Sequence, residues 1–188
     1  MPTSTANAKK LGYVGRTPGQ KTRDSDSWFT PPEYIASVKE VMGNIDLDPF
    51  SSTEANKIIK AGCYLTEDSN ALITPWNVKK NTRVFMNPPY SSGLIHKAIQ
   101  RFLSEYEAGH FQEGIVLVNN ATDTRWFRMM VPHAEAVCFT DHRISFWNSD
   151  GKRVSGNTRG QCFFYFGKNH LKFAEIFSKH GFILRHHP

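Results

Sequence analysis

Val84-Phe85-Met86-Asn87-Pro88-Pro89-Tyr90-Ser91-Ser92-Gly93 is the stretch on which the reading of the chain turns. Val84 to Met86 is a short apolar run of the kind that forms a buried strand. Ser91 to Gly93 carries turn chemistry. Between them stand a carboxamide, two ring-locked residues and an aromatic. The prolines fix φ and remove two backbone donors. The local carbonyls are then free to accept from a ligand N–H. The Asn87 side-chain oxygen is a second acceptor, and Tyr90 offers a flat face for stacking. Such a group can hold a planar, amine-bearing ligand and keep the nitrogen lone pair aimed at an electrophile.

Working outward, apolar residues switch between strand and helix periods along the chain. Tyr34, Ile35, Val38, Val41 and Met42 recur near helical spacing. They predict a helix over 32–42, started by Pro31-Pro32 and ended by Gly43. Ile45 to Asp48 reads as a strand stopped by Pro49, residues 53–60 as a helix, and Cys63 to Leu65 as a further strand. The motif strand spans 83–87 and a helix follows over 93–107. Gly114 to Val118 reads as a buried strand and 123–131 as a helix. Ala136 to Phe139 is a strand that Ile144 to Phe146 extends or follows. Ser149 to Gly160 is a polar loop, Gln161 to Phe166 the last strand, and 170–183 a terminal helix or strand. Strands alternating with helices make this an α/β chain with a mainly parallel sheet and helices on both faces. The final two strands are joined with little helical signal, so one of them is expected to be antiparallel. Asp48, Asn87 and Asn119 all fall at carboxyl ends of strands, where open α/β sheets collect ligands.

The bulk composition fits that picture. The 188 residues suit one domain. Hydrophobic residues make up 39%, 14 of them Phe, which is enough for a core. No run of 18 apolar residues predicts a membrane span. Cys63, Cys138 and Cys162 are scattered, which fits reduced thiols in a cytoplasmic protein and argues against a disulfide framework or a zinc site. The eight histidines show no ligand spacing, and no metal is expected. The formal charge is +6, and Lys9, Lys10, Arg16, Lys21 and Arg23 precede the first acid. The remaining 18 basic residues face 17 acidic ones, so the body is nearly neutral. Residues 1–25 read as a flexible basic arm and 26–188 as a single domain. The arm is either a phosphate-neutralising device or a solvated tail.

Asn-Pro-Pro-Tyr after a hydrophobic strand resembles the catalytic motif of S-adenosylmethionine-dependent amino-methyltransferases. Trp28-Phe29-Thr30-Pro31-Pro32, Leu47-Asp48-Pro49-Phe50-Ser51-Ser52 and Trp76 make the chain similar to the phage-type DNA N6-adenine methyltransferase family from about Asp26 to Gly167. The resemblance implies a Rossmann-like methyltransferase sheet whose last strand is antiparallel, and S-adenosyl-L-methionine as cofactor. It implies a DNA partner and a phage or prophage role in shielding or marking DNA against restriction. Asn87, Pro88, Pro89 and Tyr90 would be catalytic, with the adenine flipped into their pocket. Thr30, Pro31, Asp48, Pro49, Phe50, Asp68 and Leu72 would line the cofactor site.

Each of these has a plainer reading. Asp48 can cap the helix that follows, Thr30 can cap the helix begun by Pro31, and Asp68-Ser69-Asn70 can be a turn. Phe146 or Trp147 is a candidate to close the second face of the flipped base, or is ordinary packing. Arg125, Arg143, Lys152, Arg153 and Arg159, with Asn148, Asn157 and Gln161 interspersed, suit phosphate and base-edge contacts. Two departures from the wider superfamily stand out. No Gly-x-Gly loop follows the first strand, and only 39 residues separate Asp48 from Asn87. The acid that holds the cofactor ribose is therefore not placed, Glu54 and Glu67 being candidates. Two rival activities fit the same residues: methylation of a protein glutamine amide, and a non-catalytic DNA-binding module.

Overall fold

The computed structural model describes residues 28–90, 93–148, 151–154 and 156–185. The expected basic arm and the terminal His186-His187 lie outside them. The strands are β1 (Leu47–Asp48), β2 (Cys63–Tyr64), β3 (Arg83–Met86), β4 (Glu113–Asn119), β5 (Ala136–Thr140), β6 (Gln161–Phe166) and β7 (Gly181–Arg185). The helices are α1 (Pro32–Met42), α2 (Thr53–Ile59), α3 (Leu94–Glu107), α4 (Arg125–Met130) and α5 (His170–Phe177). One seven-stranded sheet runs in the order β2-β1-β3-β4-β6-β5-β7. β2, β1, β3 and β4 are parallel neighbours. β6 enters antiparallel between β4 and β5, and β7 pairs antiparallel with β5.

Strand periodicity divides the core. Phe85, Ile115, Leu117, Cys138, Phe163 and Tyr165 face one side, where they meet Tyr34, Ile35 and Val38 of α1, Ala55 and Ile59 of α2, and Phe173 and Phe177 of α5. Val84, Met86, Val116, Val118, Cys162, Phe164 and Phe166 face the other, where they meet α3, α4 and Trp76. Successive side chains of a strand alternate faces, so a sheet apolar at every position needs helices on both sides. In α3 the buried residues Ile95, Ala98, Ile99, Phe102 and Leu103 form one stripe. The ring tip of Phe102 lies over Gly114, where an added Cβ would sit 2.7 Å from it. A glycine in mid-strand is what permits that approach.

The α/β reading holds, with a mixed sheet that is parallel over β2-β1-β3-β4 and antiparallel beyond, and the differences gather at the carboxyl-terminal end. Gln161–Phe166 is antiparallel as foreseen for one late strand, yet it is not the last. Residues 170–183 resolve into α5 followed by the start of β7. β7 was hidden because Phe182 and Leu184 are exposed, 60% and 57%, so the segment shows no buried run. Phe182 instead stacks flat on Phe139, with ring centroids 5.2 Å apart. β5 ends at Thr140, and Ile144 to Phe146 do not extend it. That segment turns back so that Trp147 pairs with Phe29 and with Arg153 in isolated bridges.

Gly181 meets the carbonyl of Phe139 so closely that an added Cβ would lie 1.9 Å from that oxygen. Backbone cannot step aside as a side-chain tip can. Gly181→Ala is therefore expected to cost about 1–3 kcal/mol and to loosen β7 selectively. Hydrogen exchange should show faster exchange at Phe182–Arg185 with β3 and β4 still protected; unchanged protection of β7 would contradict this.

Candidate active site

The carboxyl ends of β1, β2, β3, β4 and β5 and the start of β6 share one edge of the sheet. Asp48 closes β1 and Asn119 closes β4 at that edge, Gln161 opens β6 there, and the other candidates among the described residues lie in loops or at helix starts.

Asn87 follows β3 directly and is half-buried. Its Nδ2 faces the Trp28 carbonyl at 3.5 Å and the Thr30 hydroxyl at 3.4 Å. A carbonyl only accepts, so the amide nitrogen must be the end turned toward Trp28. The oxygen is then left facing away, and among the described residues no donor reaches it. Pro88 is buried, while Pro89 and Tyr90 are half-buried. The Tyr90 hydroxyl accepts from the Asn119 N–H at 2.6 Å, which ties the ring to the end of β4. The Trp126 ring lies edge-on to it at 6.3 Å. Burial pushes the Tyr90 phenol far above its ordinary value, and the Asn119 N–H, and less so the Arg159 charge, oppose this only in part. The phenol is thus neutral and serves as a tether.

The structure removes two of the plainer readings. Thr30, 1% exposed, does not cap α1: the cap is Pro31, whose carbonyl accepts from Tyr34 and Ile35. The Thr30 hydroxyl instead faces Asn87. Asp48 does not cap α2 either. Ser52 does, its hydroxyl accepting from Ala55 N–H at 3.0 Å. Asp48 is 1% exposed and accepts a long bond, 3.4 Å, from the Phe50 N–H. Burial raises its carboxyl from the ordinary value to about 7, with the Ser51 hydroxyl and then the Phe50 N–H pulling partly back.

Phe50 is half-buried and meets Trp76 edge-on at 6.3 Å. Trp76 is fully buried, and its Nε1 donates to the Ala71 carbonyl at 2.9 Å. This indole pins the 65–76 loop to the sheet. Asp68 lies exposed on that loop beside half-buried Leu72. Asn70 between them is 6% exposed, adopts a φ of 48°, and its Nδ2 is buried with no partner among the described residues. A buried donor without a partner in a loop at this edge fits a polar ligand lying against it. Glu54 and Glu67 are both exposed.

The basic residues separate in the same way. Arg125 is exposed at the first position of α4, and Arg143, Lys152 and Arg159 are exposed on the 141–160 loops. Among the described residues these four form no ion pair. Arg153 does, with Glu33 at 2.6 Å. Phe146 packs partly against the first core cluster, and the backbone of Trp147 pairs with Phe29. Gln161 differs from its sequence reading. It is 2% exposed, and both of its amide hydrogens and its oxygen are bonded within the chain. Sequence reasoning had no signal for this, because a glutamine at a strand start reads as surface.

The fold is that of an α/β methyltransferase-like protein with a polar site along the carboxyl edge of its sheet. The model of the family described as DNA N-6-adenine-methyltransferase (Dam) matches residues 18–180, and the chain belongs to that family. It is 31% identical over 152 residues to the DNA N-6-adenine-methyltransferase of Haemophilus phage HP1 (strain HP1c1), spanning 78% of this chain and 81% of that protein. It is 28% identical over 185 residues to the protein of the same name from Escherichia phage T1, spanning 88% and 72%. No helix among the described residues is long and apolar enough to cross a membrane. Nor do three His, Cys, Asp or Glu among them gather as a metal site would require.

Asp48 supplies a test of the site's electrostatics. Its folded value lies above the ordinary one, so the native state keeps a proton that the unfolded chain has lost. The stability this contributes is complete below the ordinary carboxylate range and is lost as pH rises through about 7. The shift corresponds to roughly 4 kcal/mol. Between about pH 5 and about pH 8, the unfolding free energy of the native protein should fall relative to that of Asp48→Asn. Parallel urea-melt profiles would show that the carboxyl ionises normally.

Proposed function

We propose that the chain transfers a methyl group from S-adenosyl-L-methionine to the N6 amine of a DNA adenine extruded from the duplex. Adenine methylation of DNA follows from the family. The donor, the extruded base and the residue roles are inferred from the site. The observation that carries the reading is the orientation of Asn87, whose nitrogen is held by Trp28 and Thr30 and whose oxygen points outward.

An adenine N6 lone pair is delocalised into the ring and is a poor nucleophile. Asn87 Oδ1 and the Pro88 carbonyl would accept the two N6–H bonds and favour a pyramidal nitrogen. The cofactor, when bound, supplies an electrophilic methyl on a sulfonium. The protein contributes placement and electrostatics. Tyr90, with its hydroxyl tethered, would give the base a stacking face of fixed orientation. Phe146 or Trp147 would close the other face. Thr30, Pro31, Asp48, Pro49, Phe50, Asp68 and Leu72 would line the cofactor crease. Asp48 suits a cationic ligand, because a nearby positive charge favours the ionised carboxylate that burial disfavours. Arg125, Arg143, Lys152, Arg153 and Arg159 would meet DNA phosphates or base edges, Arg153 after exchanging its exposed partner Glu33. Family membership favours DNA over a protein glutamine amide as acceptor.

Expression in a methylation-free host followed by sequencing of modified bases should reveal N6-methyladenine at a defined word. With labelled S-adenosylmethionine, label should enter duplex DNA; label entering only protein would defeat the reading. Asn87→Ala should reduce the transfer rate by on the order of 10²–10³ or more. The variant should still show the native protein's rise in melting temperature with S-adenosylmethionine. Full activity in Asn87→Ala would exclude the assigned role.

A further inference from the structure

Two side-chain amides beneath the basic loops, one buried and one half-buried, have no part in the site described so far. Gln161 opens β6, 2% exposed, opposite Asn119 in the β4–β6 ladder. Its Nε2 donates to the Arg159 carbonyl at 2.7 Å and to Asn119 Oδ1 at 3.3 Å. Its Oε1 accepts from the Ile144 N–H at 2.9 Å. Asn157 completes the arrangement from the other side. Its Nδ2 donates to the Ile144 carbonyl at 3.1 Å, and its Oδ1 accepts from the Arg159 N–H at 3.0 Å. Between them the two amides bond the N–H of Ile144, the carbonyl of Ile144, the N–H of Arg159 and the carbonyl of Arg159.

The consequence lies in what those residues adjoin. Ile144 follows the exposed Arg143, and Arg159 is itself exposed. The clip therefore fixes the backbone from which both guanidinium groups extend. Both hydrogens of the Gln161 amide are committed, so it has no donor left for a ligand. Its third arm, through Asn119, leads to the residue whose N–H holds the Tyr90 hydroxyl at 2.6 Å. One buried glutamine thus bonds to the anchor of the motif aromatic and to the backbone beneath two surface cations.

We infer that Gln161, with Asn157, is a positioning residue that holds the Arg143 and Arg159 backbone in fixed register with Tyr90, so that engaging the DNA strand and capturing the adenine occur as one event. This rests on the proposed adenine-methylating role of the same edge. Neither amide touches the reacting atoms. Without the clip, the arginines can still bind phosphate and Tyr90 can still stack. What is lost is their fixed spacing, and with it the help that strand binding gives to base extrusion.

The test uses Gln161→Met, which keeps the length and removes every polar bond. Substrates are the normal duplex and one with the target adenine placed opposite an abasic site, where extrusion is already favoured. The variant should bind S-adenosylmethionine within about twofold of the native affinity. It should lose about tenfold or more in kcat/KM on the paired duplex. Most of that loss should be regained on the abasic duplex. A loss equal on both duplexes would indicate a merely structural role and overturn the inference, as would native kinetics on both. Should Gln161→Met fail to fold, Asn157→Ala removes only the outer half of the clip and is read in the same way. Absence of DNA methylation by the native protein would defeat the parent reading instead.

Discussion

The prolines at 88 and 89 impose the constraint around which the site is arranged. Neither has an amide hydrogen to give, so β3 cannot extend its ladder past Met86 on these residues. β3 lies between β1 and β4, with Val84 opposite Leu47 and Arg83 to Met86 opposite Glu113 to Val116. A chain released from pairing at that point leaves the sheet at its carboxyl edge, with Asn87 as its first free residue. Asp48 leaves β1 and Asn119 ends β4 at the same edge. The sheet thereby delivers a carboxamide, a buried carboxyl and a tyrosine tether to one crease without any single loop having to span it.

Within that crease, short-range polar contacts do the orienting. Thr30 and the Trp28 carbonyl choose which end of the Asn87 amide faces inward. The segment that carries them is held by the bridge from Phe29 to Trp147, with bonds of 2.8 and 3.0 Å. The 141–160 region therefore supports the site from two sides: through Trp147 toward Asn87, and through Gln161 toward Tyr90. Asp48 carries the opposite kind of feature, a buried acid whose two neighbouring donors, the Ser51 hydroxyl and the Phe50 N–H, offset its burial only in part. Its poor solvation in the free protein is what a charged or donor-rich ligand would relieve.

Much of the fold was legible from residues alone. Val84-Phe85-Met86 and Gly114 to Val118 are continuous apolar runs because helices cover both faces of those strands, and such runs are hard to misread. The 3.6-residue recurrence in 32–42 and 93–107 placed α1 and α3 within a residue or so. β7 was not legible, because Phe182 and Leu184 face outward and break the pattern. The end of β5 was placed within a residue, but whether Ile144 to Phe146 extends it stayed open because Ile144 is buried, as a strand residue would be, although its N–H bonds to Gln161. The roles of Thr30 and Asp48 stayed open for a related reason. Ser, Thr and Asp before a helix all resemble caps, and only coordinates show that Pro31 and Ser52 occupy the cap positions.

The sequence by itself determined the alternation of elements, the apolar strands and the chemical character of Asn87-Pro88-Pro89-Tyr90, because periodicity and side-chain chemistry are local properties. The tertiary structure decided which amide end of Asn87 is free, that Asp48 is buried, and that Gln161 lies beneath the surface rather than on it. The bonds to Asn87 and from Ile144 to Gln161 reach 59 and 17 positions along the chain. A hydrogen bond is set by distances of a few ångströms, and only the folded chain fixes them.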